Sequence, residues 1–176
     1  MTYLITRPSP VGLLYLTSDG ASITGLWIEG QKYFAATLAD ETCEAPELPV
    51  FRQAEAWLNA YFAGEVPPAL PPLAPQGSPF RQAVWKLLLD IPRGRTATYG
   101  ALAQKLREEG IPAAPQAVGG AVGHNPISIL IPCHRVVGSS GSLTGYAGGI
   151  AAKKYLLELE GVDMTGLSAP GKGTEL

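Results

Sequence analysis

Val66-Pro67-Pro68-Ala69-Leu70-Pro71-Pro72-Leu73-Ala74-Pro75-Gln76-Gly77 decides how this chain is divided. A proline fixes φ and carries no backbone N–H, so five in one run exclude a helix and a central strand alike. The segment reads as a stiff, extended connector. The stretches on its two sides differ in pattern.

Upstream, Tyr3–Thr6, Leu13–Thr17 and Ile23–Ile28 are rich in β-branched and aromatic residues. Pro8-Ser9-Pro10 and Ser18-Asp19-Gly20 punctuate them, which predicts a small antiparallel sheet. Asp19-Gly20 is a hairpin signal, because glycine accepts positive φ. Residues 31–49 are mixed and acidic, and predict a short helix and a loop. Phe51, Ala54, Leu58, Tyr61 and Phe62 then fall at helical spacing over 50–63, with Gly64 placed to end the helix. Its apolar face would cover the sheet.

Downstream, Ser78-Pro79 opens a helix as N-cap and first residue, and Phe80, Val84, Leu87, Leu88 and Ile91 line one face of it. Thr98 can cap a second helix through Leu106. A third, from Gln116 to about Val122, consists almost wholly of Ala, Gly and Val. Two short helices after the basic turn Pro92-Arg93-Gly94-Arg95 have a helix-turn-helix outline. Gly119-Gly120 inside the third costs about 1–2 kcal/mol relative to alanine, so something must approach that backbone closely. It is either a neighbouring helix or a narrow slot such as a DNA minor groove. A last helix spans 151–160, with Gly161 as its cap, and a polar, Gly-rich tail reads as disordered. The fold class is α+β, with domains at 1–77 and 78–165 and a tail over 166–176.

Composition is that of an ordinary globular protein, with 46% apolar and 16% charged residues. No apolar run approaches the ~18–20 residues of a membrane span, and the N-terminus has no secretory pattern. Cys43 and Cys133 lie far apart and form no C-x-x-C pair, which points to reduced thiols and a cytoplasmic location. Net charge is −2, but the balance is uneven. Residues 1–76 hold three cations against eight carboxylates, and residues 77–176 hold ten against seven. Any nucleic-acid contact therefore belongs to the second part.

The chemistry is in Ile129-Leu130-Ile131-Pro132-Cys133-His134-Arg135-Val136-Val137. A buried apolar run delivers a thiol beside an imidazole. Sulfur attacks carbon as thiolate, so a base must take its proton, and a carboxylate behind the histidine would orient it. Neighbours on an extended strand face opposite ways, so the pair needs a chain turn at Pro132 or a bridging water. Glu158 and Glu160 are the available carboxylates. Cys43, His124, Cys133 and His134 have no ligand spacing, so no metal is expected, and nothing calls for a cofactor.

The run from Asn125 to Val137 resembles the active-site signature of the O6-alkylguanine-DNA alkyltransferases (methylated-DNA–protein-cysteine methyltransferases). Phe80–Leu88, Thr98–Ala103, Ala117–Ala121, Gly145–Gly149, Lys154–Gly161 and Trp57–Gly64 resemble family segments in the same order. The resemblance implies a ribonuclease H-like first domain and a helix-turn-helix second domain. It implies one irreversible transfer of an alkyl group from guanine O6, and from thymine O4, to Cys133. His134 would deprotonate the thiol through a water, Glu160 rather than Glu158 would stand behind it, and Asn125 would brace the turn. Tyr99, Val136, Tyr146 and Ala147 would form the substrate pocket. Tyr99, Gly100, Gln116, Ala117, Gly119, Arg135 and Ser139 would contact double-stranded DNA through the minor groove, with the alkylguanine flipped out. A monomer without membrane contact would suffice. Gln116 departs from the family, which usually has an arginine there to fill the gap left by the base. A lesion-binding protein that transfers poorly is the alternative this departure raises, and a thiol hydrolase is a more distant one.

Overall fold

In the computed structural model, which describes residues 1–169, β1 (Thr2–Arg7) and β2 (Leu14–Ser18) pair antiparallel with Tyr3 opposite Ser18. A tight turn returns the chain as β3 (Ile23–Ile28), antiparallel to β2. The Asp19 carboxylate closes that turn by accepting from the N–H groups of Ala21 and Ser22, and Gly20 takes φ 102°. A two-residue strand, β4 (Thr42–Cys43), lies parallel to β1, so the sheet runs β3-β2-β1-β4 and is mixed. The helix expected within 31–49 is absent. Turns occupy residues 32–37, with Tyr33 and Ala35 both at φ 55°, and Phe34 packs edge-on against Tyr15 at 4.8 Å. A run of turns closed by local hydrogen bonds and an aromatic contact has no need of helical periodicity.

Helix α1 (Pro49–Phe62) buries Val50, Phe51, Ala54, Trp57, Leu58 and Tyr61 along one face. Trp57 and Tyr61 stack at 5.0 Å. The proline-rich connector also has a partner. Ile23 donates to Pro72 O and accepts from Ala74 N–H, each at 2.8 Å, so Leu73 is bridged to the outer edge of β3. Further along the same edge, Leu26 N–H donates to Pro126 O at 2.8 Å, and Ser128 N–H donates to Leu26 O at 2.9 Å. The first compact unit is accordingly residues 1–76 together with 126–130. Sequence pattern assigns 126–130 to the second domain; the hydrogen bonds to β3 attach them to the first.

The second unit is Gly77–Asn125 with the chain from Ile131 onward. Its helices are α2 (Pro79–Leu89), α3 (Tyr99–Glu108), α4 (Pro115–Gly123) and α5 (Ile150–Leu159). Ser78 and Thr98 cap α2 and α3 by accepting from Arg81 N–H and Ala101 N–H. Trp85 on α2 donates from its indole to Ala121 O on α4 at 2.8 Å, fixing those two helices. Val84 and Leu88 on α2, Leu102 and Leu106 on α3 and Val118 on α4 are buried. Two short strands, β5 (Ala97–Thr98) and β6 (Val136–Val137), pair in parallel and set the start of α3 beside the chain that follows Cys133. Gly166–Ser168 differ from the disordered tail expected from 166. Leu143 N–H donates to Ser168 O at 2.9 Å, Ser168 N–H donates to Gly141 O at 3.0 Å, and Leu167 packs against Val137, Leu143 and Leu157. The rest of that tail, from Pro170 on, lies outside the described residues.

Candidate active site

Two consecutive turns aim the cysteine. Leu130 N–H donates to Ser128 O at 2.8 Å, closing a three-residue γ-turn centred on Ile129, whose φ is 71°. Left-handed backbone at a β-branched residue is an outlier that costs about 1–3 kcal/mol and persists only where neighbours enforce it. Next, Cys133 N–H donates to Ile131 O at 2.8 Å, with Pro132 at φ −80° and ψ 63°, a turn of the opposite hand. A single 3-10 turn over Cys133–Arg135 follows. The chain therefore leaves the extended state at Pro132, and the geometric objection to neighbouring Cys and His falls away. The Asn125 amide braces the turn by donating to Ile131 O at 2.9 Å.

Cys133 is 3% exposed and His134 is fully buried. His134 Nε2 lies 2.8 Å from Glu160 Oε2. A carboxylate can only accept, so Nε2 carries the hydrogen and Nδ1 keeps its lone pair. Nδ1 is buried and takes no protein partner among the described residues. Glu160 stands at the C-terminal cap of α5 and Glu158 is exposed, paired loosely with Lys154 at 3.9 Å, which separates the two carboxylates that sequence left open. Burial pushes Glu160 up; the hydrogen bond from His134 and the Arg135 guanidinium outweigh it and hold the carboxyl at about 2. Burial lowers His134, against the pull of Glu160, which keeps the imidazole neutral. Burial likewise raises the Cys133 thiol, and the Asn125 amide and the Lys153 ammonium reverse only part of that.

Arg135, expected on DNA, is committed elsewhere. Its Nε donates to Glu160 Oε1 at 2.6 Å and its Nη1 to Ile91 O at 2.6 Å, with the side chain 12% exposed. The 3-10 turn carries the guanidinium inward onto Glu160, where it neutralises a buried charge. Tyr99, the first residue of α3, is buried and donates to Thr144 O at 3.0 Å. Desolvation, with the Cys133 charge adding to it, pushes its hydroxyl up to about 12, so it keeps its proton. Tyr146 is buried with its ring edge-on to His134, centroids 6.3 Å apart, and Val136 is fully buried. Ala147 and Gly100 are half-buried, and Ser139 is exposed. On α4, Gln116, Ala117 and Gly120 are exposed and Gly119 half-buried. A Cβ on Gly120 would meet nothing within 4 Å, and one on Gly119 would only touch Tyr99 at 3.8 Å. Packing within the protein therefore does not require these glycines.

One buried residue was not legible in the sequence. Lys153 on α5 is fully buried and donates from Nζ to Val136 O and, at 3.0 Å, to Thr144 O. Desolvation lowers its ammonium to about 8, with the Cys133 charge opposing. Lysine within Ala152-Lys153-Lys154 reads as a solvated face; only its register, three residues before Leu156 and four before Leu157, hints that it points inward.

Residues 79–162 match the family described as 6-O-methylguanine DNA methyltransferase, DNA binding domain, and residues 2–73 match its ribonuclease-like domain. The chain belongs to the 6-O-methylguanine DNA methyltransferase family. A methylated-DNA–protein-cysteine methyltransferase of Haemophilus influenzae is 44% identical over 174 residues, 98% of this chain and 91% of the relative. One from Mycobacterium tuberculosis is 46% identical over 160 residues, 91% of this chain and 93% of the relative. The crystal structure of Mycobacterium tuberculosis OGT in complex with DNA superposes with a TM-score of 0.80 at 45% identity, covering 90% of this chain and 92% of that one. The ribonuclease-like and DNA-binding parts of the family correspond to the α+β architecture described above. No helix among the described residues is long and apolar enough to cross a membrane, and no cluster of three or more His, Cys, Asp or Glu could hold a metal.

Proposed function

We infer that Cys133 accepts an alkyl group from O6 of guanine in DNA, and that His134, Glu160, Asn125, Tyr99 and Lys153 serve that single transfer. The reaction is direct reversal of damage: sulfur forms a bond to the alkyl carbon, the carbon–O6 bond breaks, and guanine is restored in place. The observation that carries this reading is a buried thiol beside a neutral imidazole whose far nitrogen is held by an ionised carboxylate. Burial keeps Cys133 as thiol, so the proton must leave as the attack begins. His134 Nδ1 takes it through one water, and Glu160 stabilises the imidazolium that forms. Tyr99 retains its proton and can donate it to the departing base by turning from Thr144 O. Lys153 fixes the Val136 and Thr144 carbonyls, leaving Val136 O oriented toward the guanine amine. Tyr146 and Ala147 complete the pocket. A thioether does not reverse, so each molecule acts once.

The base must be flipped from the duplex to reach a thiol at this depth. The exposure of Gln116, Ala117 and Gly120 supports entry of α4 into the minor groove, and nothing inside the protein needs the smallness of Gly120. Gly100 and Ser139 supply flanking phosphate contacts. The second unit then acts as the DNA-binding transferase domain and the first as its support, in a monomer. O4 of thymine offers the same alkyl–oxygen bond and is the second substrate. A free thiol suits the reducing cytoplasm. Incubation with O6-benzylguanine followed by intact mass tests the reading. A benzyl adduct that disappears in Cys133→Ala supports it; tight binding to methylated duplex without an adduct would indicate lesion binding instead.

A further inference from the structure

Ser128 is buried and tied at three points. Its N–H donates to Leu26 O at 2.9 Å, its carbonyl accepts from Leu130 N–H at 2.8 Å, and its hydroxyl reaches Gln31 Oε1 at 3.4 Å. Gln31 is 8% exposed and follows β3 after a turn at Gly30, whose φ is 82°. Its Oε1 also accepts from Ile28 N–H at 2.7 Å, and its Nε2 donates to Lys32 O at 3.2 Å. One buried amide thus joins the end of β3 to Ser128. What that joint resists is the next residue's preference. Ile129 sits at φ 71°, a conformation that β-branched side chains avoid, and it returns to negative φ unless its flanks are held. Rotation there would displace Leu130 and load the turn at Pro132 that follows, and Cys133 is only four residues on.

We propose that Gln31 is a positioning residue for alkyl transfer: through Ser128 it holds the left-handed turn at Ile129 and thereby fixes the direction of the Cys133 thiol. The proposal rests on Cys133 being the acceptor. Gln31 bonds to Ile28, Lys32 and Ser128, so it acts at one remove from the reacting atoms. An in-line attack is sensitive to such aim, and a misplacement of about 1 Å can slow a step by about a hundredfold.

The test uses the full chain as wild type, Gln31→Met, Gln31→Glu and Ser128→Ala. The rate constant and the final amplitude of benzyl transfer from saturating O6-benzylguanine are measured separately, alongside affinity for undamaged duplex. Gln31→Met is expected to lower the rate constant by about tenfold or more with duplex affinity unchanged. Gln31→Glu keeps Oε1 as acceptor and should recover most of the loss. A merely structural role would reduce amplitude, the fraction of folded protein, and leave the rate constant alone; that result overturns the proposal, as does a wild-type rate in Gln31→Met. If Gln31→Met does not fold, Ser128→Ala removes one hydroxyl and carries the same comparison, with a severalfold slower transfer expected and a wild-type rate overturning. A wild type that forms no adduct overturns the acceptor reading itself.

Discussion

Glu160 accepts from both His134 and Arg135 with its carboxylate wholly buried. Glu160→Gln keeps the shape but removes the charge, leaving the Arg135 guanidinium in a half-buried site without its counter-ion. Breaking such a pair costs about 3 kcal/mol or more, which urea denaturation would register. Transfer should slow as well, because an imidazolium at His134 would lose its stabilising anion. Lys153→Met is the converse case. It removes a costly buried ammonium, so stability should change by less than about 1.5 kcal/mol, while the unheld Val136 carbonyl should slow benzyl transfer by about tenfold or more. Had Lys153 been placed only for stability, the two effects would run the other way.

The same buried groups set the response to acid. The folded state lowers His134, so the unfolded chain binds more protons as pH falls through the ordinary histidine range, and stability falls with it. Glu160 is held at about 2, so a second loss follows between the ordinary carboxylate range and that value. Urea midpoints should therefore drop from neutral pH down to about pH 4, and His134→Asn should remove the earlier part of that drop. On the alkaline side the two shifts oppose. Lys153, lowered to about 8, adds stability as pH rises above that value, while the raised Cys133 thiol subtracts it.

At the level of elements, α4 carries a cost that its own packing does not explain. Gly120→Ala places a methyl in open space and should stabilise the protein by about 0.5–1 kcal/mol in thermal melts, while weakening duplex affinity. A variant that gains stability and keeps affinity would remove α4 from the DNA contact. Gln116→Arg on the same helix adds a charge at an exposed position and should tighten duplex binding with a steeper salt dependence. Such elements were largely legible in the sequence. Ser78 and Thr98 mark helix starts because their hydroxyls do the capping, and Gly161 marks an end because it takes φ 77°. What escaped was decided by tertiary partners. A two-residue strand such as β4 has no period to read, and neither have β5 and β6. The guanidinium of Arg135 and the ammonium of Lys153 look like surface charges until the fold supplies Glu160, Ile91 O and Val136 O. Cys133, His134 and Glu160 were singled out through a motif, but the turn between Ile131 and Arg135 was visible only as a requirement on Pro132.

Across the whole molecule, five residues from the C-terminal half complete the edge of the N-terminal sheet. That arrangement makes long-range pairing part of the first unit's stability. A fragment beginning at Gly77 would carry Ile127 without Leu26 to pair with, and it should form little benzyl adduct; adding residues 1–76 in trans should restore it. Adduct formation by the fragment alone would show that the second unit sets its own geometry.

The edge of β3 also imposes an order on synthesis. Chains usually complete their N-terminal part while the remainder is still being made. Here the sheet emerges early, yet one stretch of its border stays open until Pro126–Leu130 have been translated, after α2, α3 and α4. The first unit closes on the residues that immediately precede Cys133, so in a nascent chain this turn forms late, after α2, α3 and α4 have been made and before α5.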